Sequence, residues 1–158
     1  MKKAIFAAAF FILSLGTSAC AAGTNIESTD LSGAAIDGLQ INQKLDPESL
    51  NGYTESNRYS GDHKYEFEEL IIDTDGSDVI TYLFGRFGEN SIGINGKNDL
   101  LYISDVAEAL GDNYSKQVYD REQHLSQYTY SDKENSICAE FVYSDFDNCL
   151  IWLVIRST

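Results

Sequence analysis

Two histidines, each close to a carboxylate, are the residues of this chain that are best suited to proton transfer. His63 follows Asp62, and His124 lies two residues after Glu122. An imidazole that is paired with a carboxylate can act as a general base, and the chain would then be a hydrolase. The sequence contains no Gly-x-Ser-x-Gly or His-Glu-x-x-His motif, so the alternative is that both histidines are surface residues in loops.

An acidic loop holds the side chains that are best suited to binding a metal. Asp73, Asp75 and Asp78 are close together in sequence, and alternate carboxylates on a short loop can offer oxygen ligands to calcium. The loop is too short for an EF-hand and lacks the distal glutamate. A hairpin turn built with Asp explains the same pattern. We therefore expect no metal and no other cofactor.

Aromatic side chains in the second half of the chain are the main indication of a binding surface. Tyr128, Tyr130 and Trp152 lie on predicted strands, and Glu140 lies among apolar residues on another. Rigid amphipathic rings are enriched in protein interfaces, but tyrosine also packs in ordinary sheets. We interpret these four residues as a candidate recognition site, with core packing as the alternative.

The N-terminus has the features of an export signal. Two lysines precede an uncharged apolar stretch, which ends in small residues before Cys20. The segment Thr17-Ser-Ala-Cys20 resembles the lipobox of bacterial lipoproteins. This resemblance implies that residues 1–19 are removed and that Cys20 is diacylated. Cleavage by the general signal peptidase after Ala19 or Ala21 is the alternative, and it would give a secreted protein.

The next segment, residues 20–35, predicts a flexible tether because it is small, polar and free of aromatic side chains. A lipid on Cys20 and a tether behind it would hold the domain at the outer face of a bacterial cell membrane. We expect the lipid to be its only membrane attachment, since nothing later in the sequence is long and apolar enough to span.

The two remaining cysteines, Cys138 and Cys149, flank a predicted turn. A hairpin that pairs Tyr143 with Cys149 would place Cys138 opposite Val154. The two thiols would then be too far apart for a disulfide. The sequence therefore predicts two free thiols.

The formal net charge is −14, with 11 basic and 25 acidic residues. Removing residues 1–19 takes away two lysines and no acid, so the mature chain has a formal charge of −16. Nucleic acid and anionic lipid headgroups would be repelled by this charge. Basic protein surfaces remain compatible with it, and we expect no nucleic-acid partner.

The best helix in the sequence is Ile103–Gly111, in which Ser104 can cap the first turn and Gly111 can end the last. The alternation of residues along the two strands of the last hairpin predicts two faces. One is expected to be core: Ile137, Ala139, Phe141, Tyr143, Cys149, Ile151, Leu153 and Ile155. The other is either a second buried layer or an exposed recognition face: Cys138, Glu140, Val142, Leu150, Trp152 and Val154.

The order of these parts repeats along the chain. Ile36-Asp-Gly38 and Ile94-Asn-Gly96 each open a stretch that continues with a predicted helix and then with strands. The sequence therefore predicts a single α+β domain over residues 36–158. It would consist of two helix-plus-antiparallel-meander halves, at about 36–93 and 94–158.

The second half resembles a known bacterial fold through its helix Ser104–Gly111, its aromatic strand Gln127–Tyr130 and its closing strand Leu150–Ile155. The resemblance is to small secreted proteins with the β-lactamase-inhibitory-protein-like fold, which small outer-membrane assembly lipoproteins share. It implies tandem halves that form a curved sheet and grip a partner.

We expect a non-catalytic binding module for an extracellular protein or a cell-wall component. One alternative is an extracytoplasmic hydrolase that uses His63 or His124. The other is a secreted enzyme inhibitor without a lipid.

Overall fold

The computed structural model describes residues 26–57 and 61–158. The predicted signal peptide (1–19), the lipidation at Cys20 and the first part of the predicted tether lie outside the described residues. Strands account for 45% of the described residues and helices for 9%. The predicted α+β class is therefore wrong, because the described chain is mostly β.

The described residues contain nine strands, one α-helix and one 3-10 turn. The helix, α1, is Ile103–Leu110, and the 3-10 turn is Pro47–Leu50. No helix in this part of the chain is long and apolar enough to cross a membrane. The strands are β1 (Ala35–Ile36), β2 (Tyr65–Glu66), β3 (Leu70–Thr74), β4 (Ile80–Arg86), β5 (Ile92–Gly93), β6 (Ser115–Asp120), β7 (Leu125–Asp132), β8 (Ile137–Ser144) and β9 (Leu150–Ser157).

Seven of the strands form one antiparallel sheet in the order β2-β3-β4-β9-β8-β7-β6, while β1 and β5 pair separately. Within the large sheet, β4 pairs with β9 and places Phe84 opposite Val154. The first and second parts of the chain therefore share one sheet. Where a helix was predicted, the first part has only the 3-10 turn, which begins at Pro47 and ends before Asn51-Gly52. This is why helix-plus-meander halves do not describe the fold.

Helix α1 packs its apolar stripe into the main core. Val106 is fully buried in the same cluster as Phe141 and Leu153. The predicted C-terminal stop is confirmed, because Gly111 has a φ of 81°. The predicted cap is wrong: the helix begins one residue before Ser104, and the Asp105 carboxylate accepts hydrogen bonds from the preceding backbone N–H groups of residues 101 and 102.

The β8–β9 hairpin contains a bulge that the sequence did not predict. Val142 lies opposite Trp152, but Tyr143 lies opposite Leu150, so Ile151 is the extra residue. The register therefore differs from the predicted one by two residues, and Cys138 lies opposite Arg156 rather than Val154. The bulge also moves Leu150 into the core cluster.

The second part of the predicted tether is packed against the domain. Leu31 is 1% exposed, and its backbone N–H donates to the buried Asp132 carboxylate at 2.9 Å. The backbone N–H of Thr29 donates to the carbonyl of Ser131 at 2.9 Å. The folded part of the chain therefore begins earlier than residue 36, because Leu31 and Ala34 supply apolar surface to the core.

Two local turns are the clearest form of the internal repeat. Asp37-Gly38 and Asn95-Gly96 both have positive φ values at their two residues, between 50° and 83°. Each turn is closed by a pair of backbone hydrogen bonds, from Ile36 to Leu39 and from Ile94 to Lys97. This is the type I′ geometry that Asx-Gly pairs favour.

Candidate functional site

The sheet has one face that lies away from the main core and carries a row of aromatic and charged side chains. Cross-strand partners in the sheet point to the same side, so the register places Tyr82 with Arg156, Phe84 with Val154, and Glu140 with Val154. We name this surface the aromatic face. It comprises Tyr82, Phe84, Tyr119, Glu140, Trp152 and Arg156.

Trp152 lies at the centre of the aromatic contacts on this face. Its ring is 6.5 Å from that of Phe84 and 5.4 Å from that of Tyr119, measured between centroids. The contact with Tyr119 is edge-to-face, at 77°. Trp152 and Phe84 are half-buried, whereas Tyr119 is 43% exposed. The rings therefore hold one another in place while part of their surface stays accessible.

An ion pair lies beside these rings. Arg156 Nη2 is 2.8 Å from Glu140 Oε1, and the two side chains are 26% and 12% exposed. A charge-assisted hydrogen bond of this kind orients both groups. The face thus combines apolar rings with a directional polar group.

The tyrosines of the aromatic face are neutral at physiological pH. Burial raises the pKa of the Tyr82 phenol, and the carboxylates of Glu140 and Asp73 raise it further. Burial and Glu140 also raise the pKa of Tyr119. Both phenols therefore keep their hydroxyl hydrogen and can donate a hydrogen bond.

Two of the four predicted site residues lie on the opposite face of the sheet. Tyr128 pairs with Phe141 and Tyr130 with Ala139, both of which belong to the main core. Tyr130 is fully buried, and its hydroxyl donates to the carbonyl of Gly111 at 2.9 Å. The structure therefore brings together Glu140 and Trp152 but not Tyr128 and Tyr130.

The two histidines have partners that their sequence neighbours do not indicate. His63 Nδ1 is 2.6 Å from Asp73 Oδ2, and its ring stacks on Tyr82 at 4.9 Å. His124 lies in the β6–β7 turn with a φ of 55°, and its ring is 4.6 Å from Phe146. The β2–β3 hairpin brings Asp73 to His63. Proximity in the sequence had indicated Asp62 as the partner instead.

The three carboxylates of the acidic loop engage separate partners. Asp73 contacts His63, and the Asp75 carboxylate accepts from the backbone of its own turn. Asp78 Oδ1 is 2.8 Å from Lys64 Nζ. Among the residues that the structure describes, no group of three or more His, Cys, Asp or Glu side chains is arranged to hold a metal ion. The geometry is that of a hairpin turn.

The cysteines differ from the prediction of two free thiols. Cys149 is free and partly exposed, and burial together with its contact to Asp147 raises its pKa. Cys138 is fully buried and is disulfide-bonded. Its predicted freedom is therefore wrong. Cys20, the third cysteine of the chain, lies outside the described residues.

Four members of the aromatic face were not among the predicted site residues: Tyr82, Phe84, Tyr119 and Arg156. Alternation along β4 puts Tyr82 and Phe84 on one side, and this signal was present in the sequence. The pairing of β4 with β9, which brings them to Trp152, joins residues about 70 positions apart and has no local signal.

No protein-family model, curated protein or solved structure matches this chain. The resemblance to the β-lactamase-inhibitory-protein-like fold therefore stays a prediction.

Proposed function

We propose that this chain is an exported, non-catalytic binding module that recognises an extracellular protein or a cell-wall component through its aromatic face. The observation that carries the proposal is the cluster of Trp152, Phe84 and Tyr119 beside the Glu140–Arg156 ion pair. Half-buried rings lose little conformational freedom on binding, which lowers the entropic cost of association. The ion pair adds polar groups that can select one partner over another.

A pull-down from cell-surface extracts tests this proposal. The exported protein is immobilised as wild type, as Trp152→Ala and as His124→Ala. We expect the wild type and His124→Ala to capture the same partner and Trp152→Ala to lose it, with all three proteins folded by circular dichroism. Undiminished capture by folded Trp152→Ala would remove the aromatic face from consideration.

We also propose that the protein is lipidated at Cys20 and held at the outer face of a bacterial membrane. A tethered domain has a raised effective concentration for partners at that surface, which suits a binding module. In the secreted alternative the Cys20 sulfur carries no lipid and can form a disulfide, and Cys138 is disulfide-bonded. A lipid thioether and a disulfide cannot share the Cys20 sulfur.

Intact mass spectrometry of the exported protein separates these two possibilities. Lipidation predicts an added diacylglyceryl mass on a chain that begins at Cys20, partitioning into detergent, and release by Cys20→Ala. A water-soluble, unmodified chain with a bridge to Cys138 would contradict lipidation and support the secreted form.

A hydrolase is the second candidate, and one observation favours it. The His63–Asp73 contact at 2.6 Å has the geometry in which a carboxylate orients an imidazole base. A general ester-hydrolysis assay with wild type and His63→Gln tests it. Activity that the wild type has and His63→Gln lacks would favour the hydrolase over the binding module.

A further inference from the structure

One end of the molecule exposes large apolar side chains on adjacent segments. Phe146, in the β8–β9 turn, is 77% exposed, and Leu101 and Tyr102, just before α1, are 65% and 45% exposed. Exposed apolar residues are ordinary when scattered, but a group on neighbouring segments indicates a site of interaction. We name this group the apolar end.

Hydrogen bonds hold the segments of the apolar end in fixed positions. The backbone N–H of Leu150 donates to the carbonyl of Leu101 at 2.9 Å, and that of Ile103 donates to Asn148 at 3.0 Å. The β6–β7 turn joins them, because the N–H of Asp145 donates to the carbonyl of His124 at 2.8 Å. The His124 ring also contacts Phe146. The surface is therefore preformed, which favours binding.

The surroundings of the apolar end are strongly acidic. Residues 99–105, 120–124 and 144–149 contain six carboxylates and one fixed cation, Arg121. Lys97 interacts with Asp105 and Lys116 with Asp145, so carboxylates still outnumber cations by two to one. Backbone hydrogen bonds lower the pKa of Asp105, and the Ser144 hydroxyl lowers that of Asp147, so both are ionised at neutral pH. This charge attracts basic groups and repels anionic lipid.

We infer that the apolar end binds a basic amphipathic segment of a partner protein, at a site separate from the aromatic face. The apolar side chains of the segment would cover Phe146 and Leu101, and its Lys or Arg residues would meet the surrounding carboxylates. Such a segment satisfies both the exposed apolar area and the local charge, which neither an anionic membrane nor a neutral apolar peptide does.

Peptide binding to the full exported protein tests this inference. The probe is a fluorescent 12-residue peptide of alternating Lys and Leu, and the measurement is anisotropy at about physiological ionic strength. We expect the double variant Leu101→Ser/Phe146→Ser to bind the peptide at least about tenfold more weakly, since it removes the two apolar side chains that the leucines would cover. Its melting temperature should stay unchanged, because both side chains are exposed.

Two controls separate this site from its alternatives. Val118→Ser removes an apolar side chain that is 55% exposed on the edge strand β6, and Trp152→Ala alters the aromatic face. Both variants should bind the peptide as the wild type does. The inference would be overturned if the double variant bound the peptide as tightly as the wild type does. It would also be overturned if the wild type bound a Lys-Ser peptide as tightly as the Lys-Leu peptide, or if it bound anionic vesicles and not the peptide. If the pull-down showed that the aromatic face binds no partner, the peptide-binding results would still test the apolar end.

Discussion

At the scale of the residue, the Glu140–Arg156 pair illustrates how the aromatic face tolerates charge. Both side chains are largely buried, so their hydrogen bond replaces interactions that water would have supplied. Removing one partner of such a pair costs more stability than replacing both by apolar groups of similar size. Single and double variants of the pair should therefore differ measurably in their free energy of unfolding.

The first prediction concerns this pair. Arg156→Met should lower the free energy of unfolding by about 1–3 kcal/mol, because the largely buried Glu140 carboxyl group then loses this hydrogen-bond donor. The double variant Glu140→Leu/Arg156→Met should lose less than the single variant. Urea denaturation of the three proteins measures both values, and a larger loss in the double variant would contradict the expected coupling.

The second prediction concerns Asp132, which is 2% exposed. Burial alone would raise the pKa of this carboxyl, but hydrogen bonds from Leu31, Asn135 and Glu134 together lower it. The folded pKa thus lies below the unfolded value of about 3.9, so this contribution to stability is complete above about pH 5 and is lost as the pH falls through the folded pKa.

Asp132→Asn should therefore lower the free energy of unfolding by about 1–3 kcal/mol at pH 7, since an amide cannot accept all of these bonds. The difference from wild type should shrink between about pH 5 and pH 2. Glu134→Gln is the matched control, because it removes one exposed charge in the same turn. A constant difference across this pH range would argue against the assignment.

At the scale of the element, sequence patterns predicted those features that depend on neighbours along the chain. The apolar stripe of α1, its Gly111 stop and the core face of β8 all follow from local periodicity. The cap of the helix was assigned wrongly: Asp105, and not Ser104, accepts hydrogen bonds at this end, from the backbone N–H groups of residues 101 and 102. The β8–β9 bulge was missed, since nothing in a single strand marks an extra residue.

The third prediction concerns the packing of α1. Val106→Asp should lower the free energy of unfolding by about 3 kcal/mol or more, because it places an unpaired carboxylate in a fully buried position. Ser104→Asp is the matched control, as it adds the same charge to an exposed position in the first turn of the same helix. That control should be neutral or slightly stabilising. Comparable losses in both variants would contradict the packing described for α1.

At the scale of the whole molecule, the arrangement that creates the aromatic face could not be predicted locally. Glu140 and Trp152 were identified because both lie on the mixed face of the last hairpin, where a charged and a large aromatic residue stand among apolar ones. Phe84 and Tyr82 reach them only through the β4–β9 pairing. Tyr128 and Tyr130 were assigned to the same site because aromatic composition does not show which face of β7 is buried, and both side chains lie on the core face.

The most direct test of the aromatic face uses the fact that Trp152 is the only tryptophan in the chain. Incorporation of 5-fluorotryptophan gives one fluorine resonance, which reports the environment of that ring. Addition of the captured partner should shift this resonance and reduce its exposure to solvent, and the Phe146→Ser variant should show the same shift. A resonance that stays unchanged when the partner is saturating would contradict binding at the aromatic face.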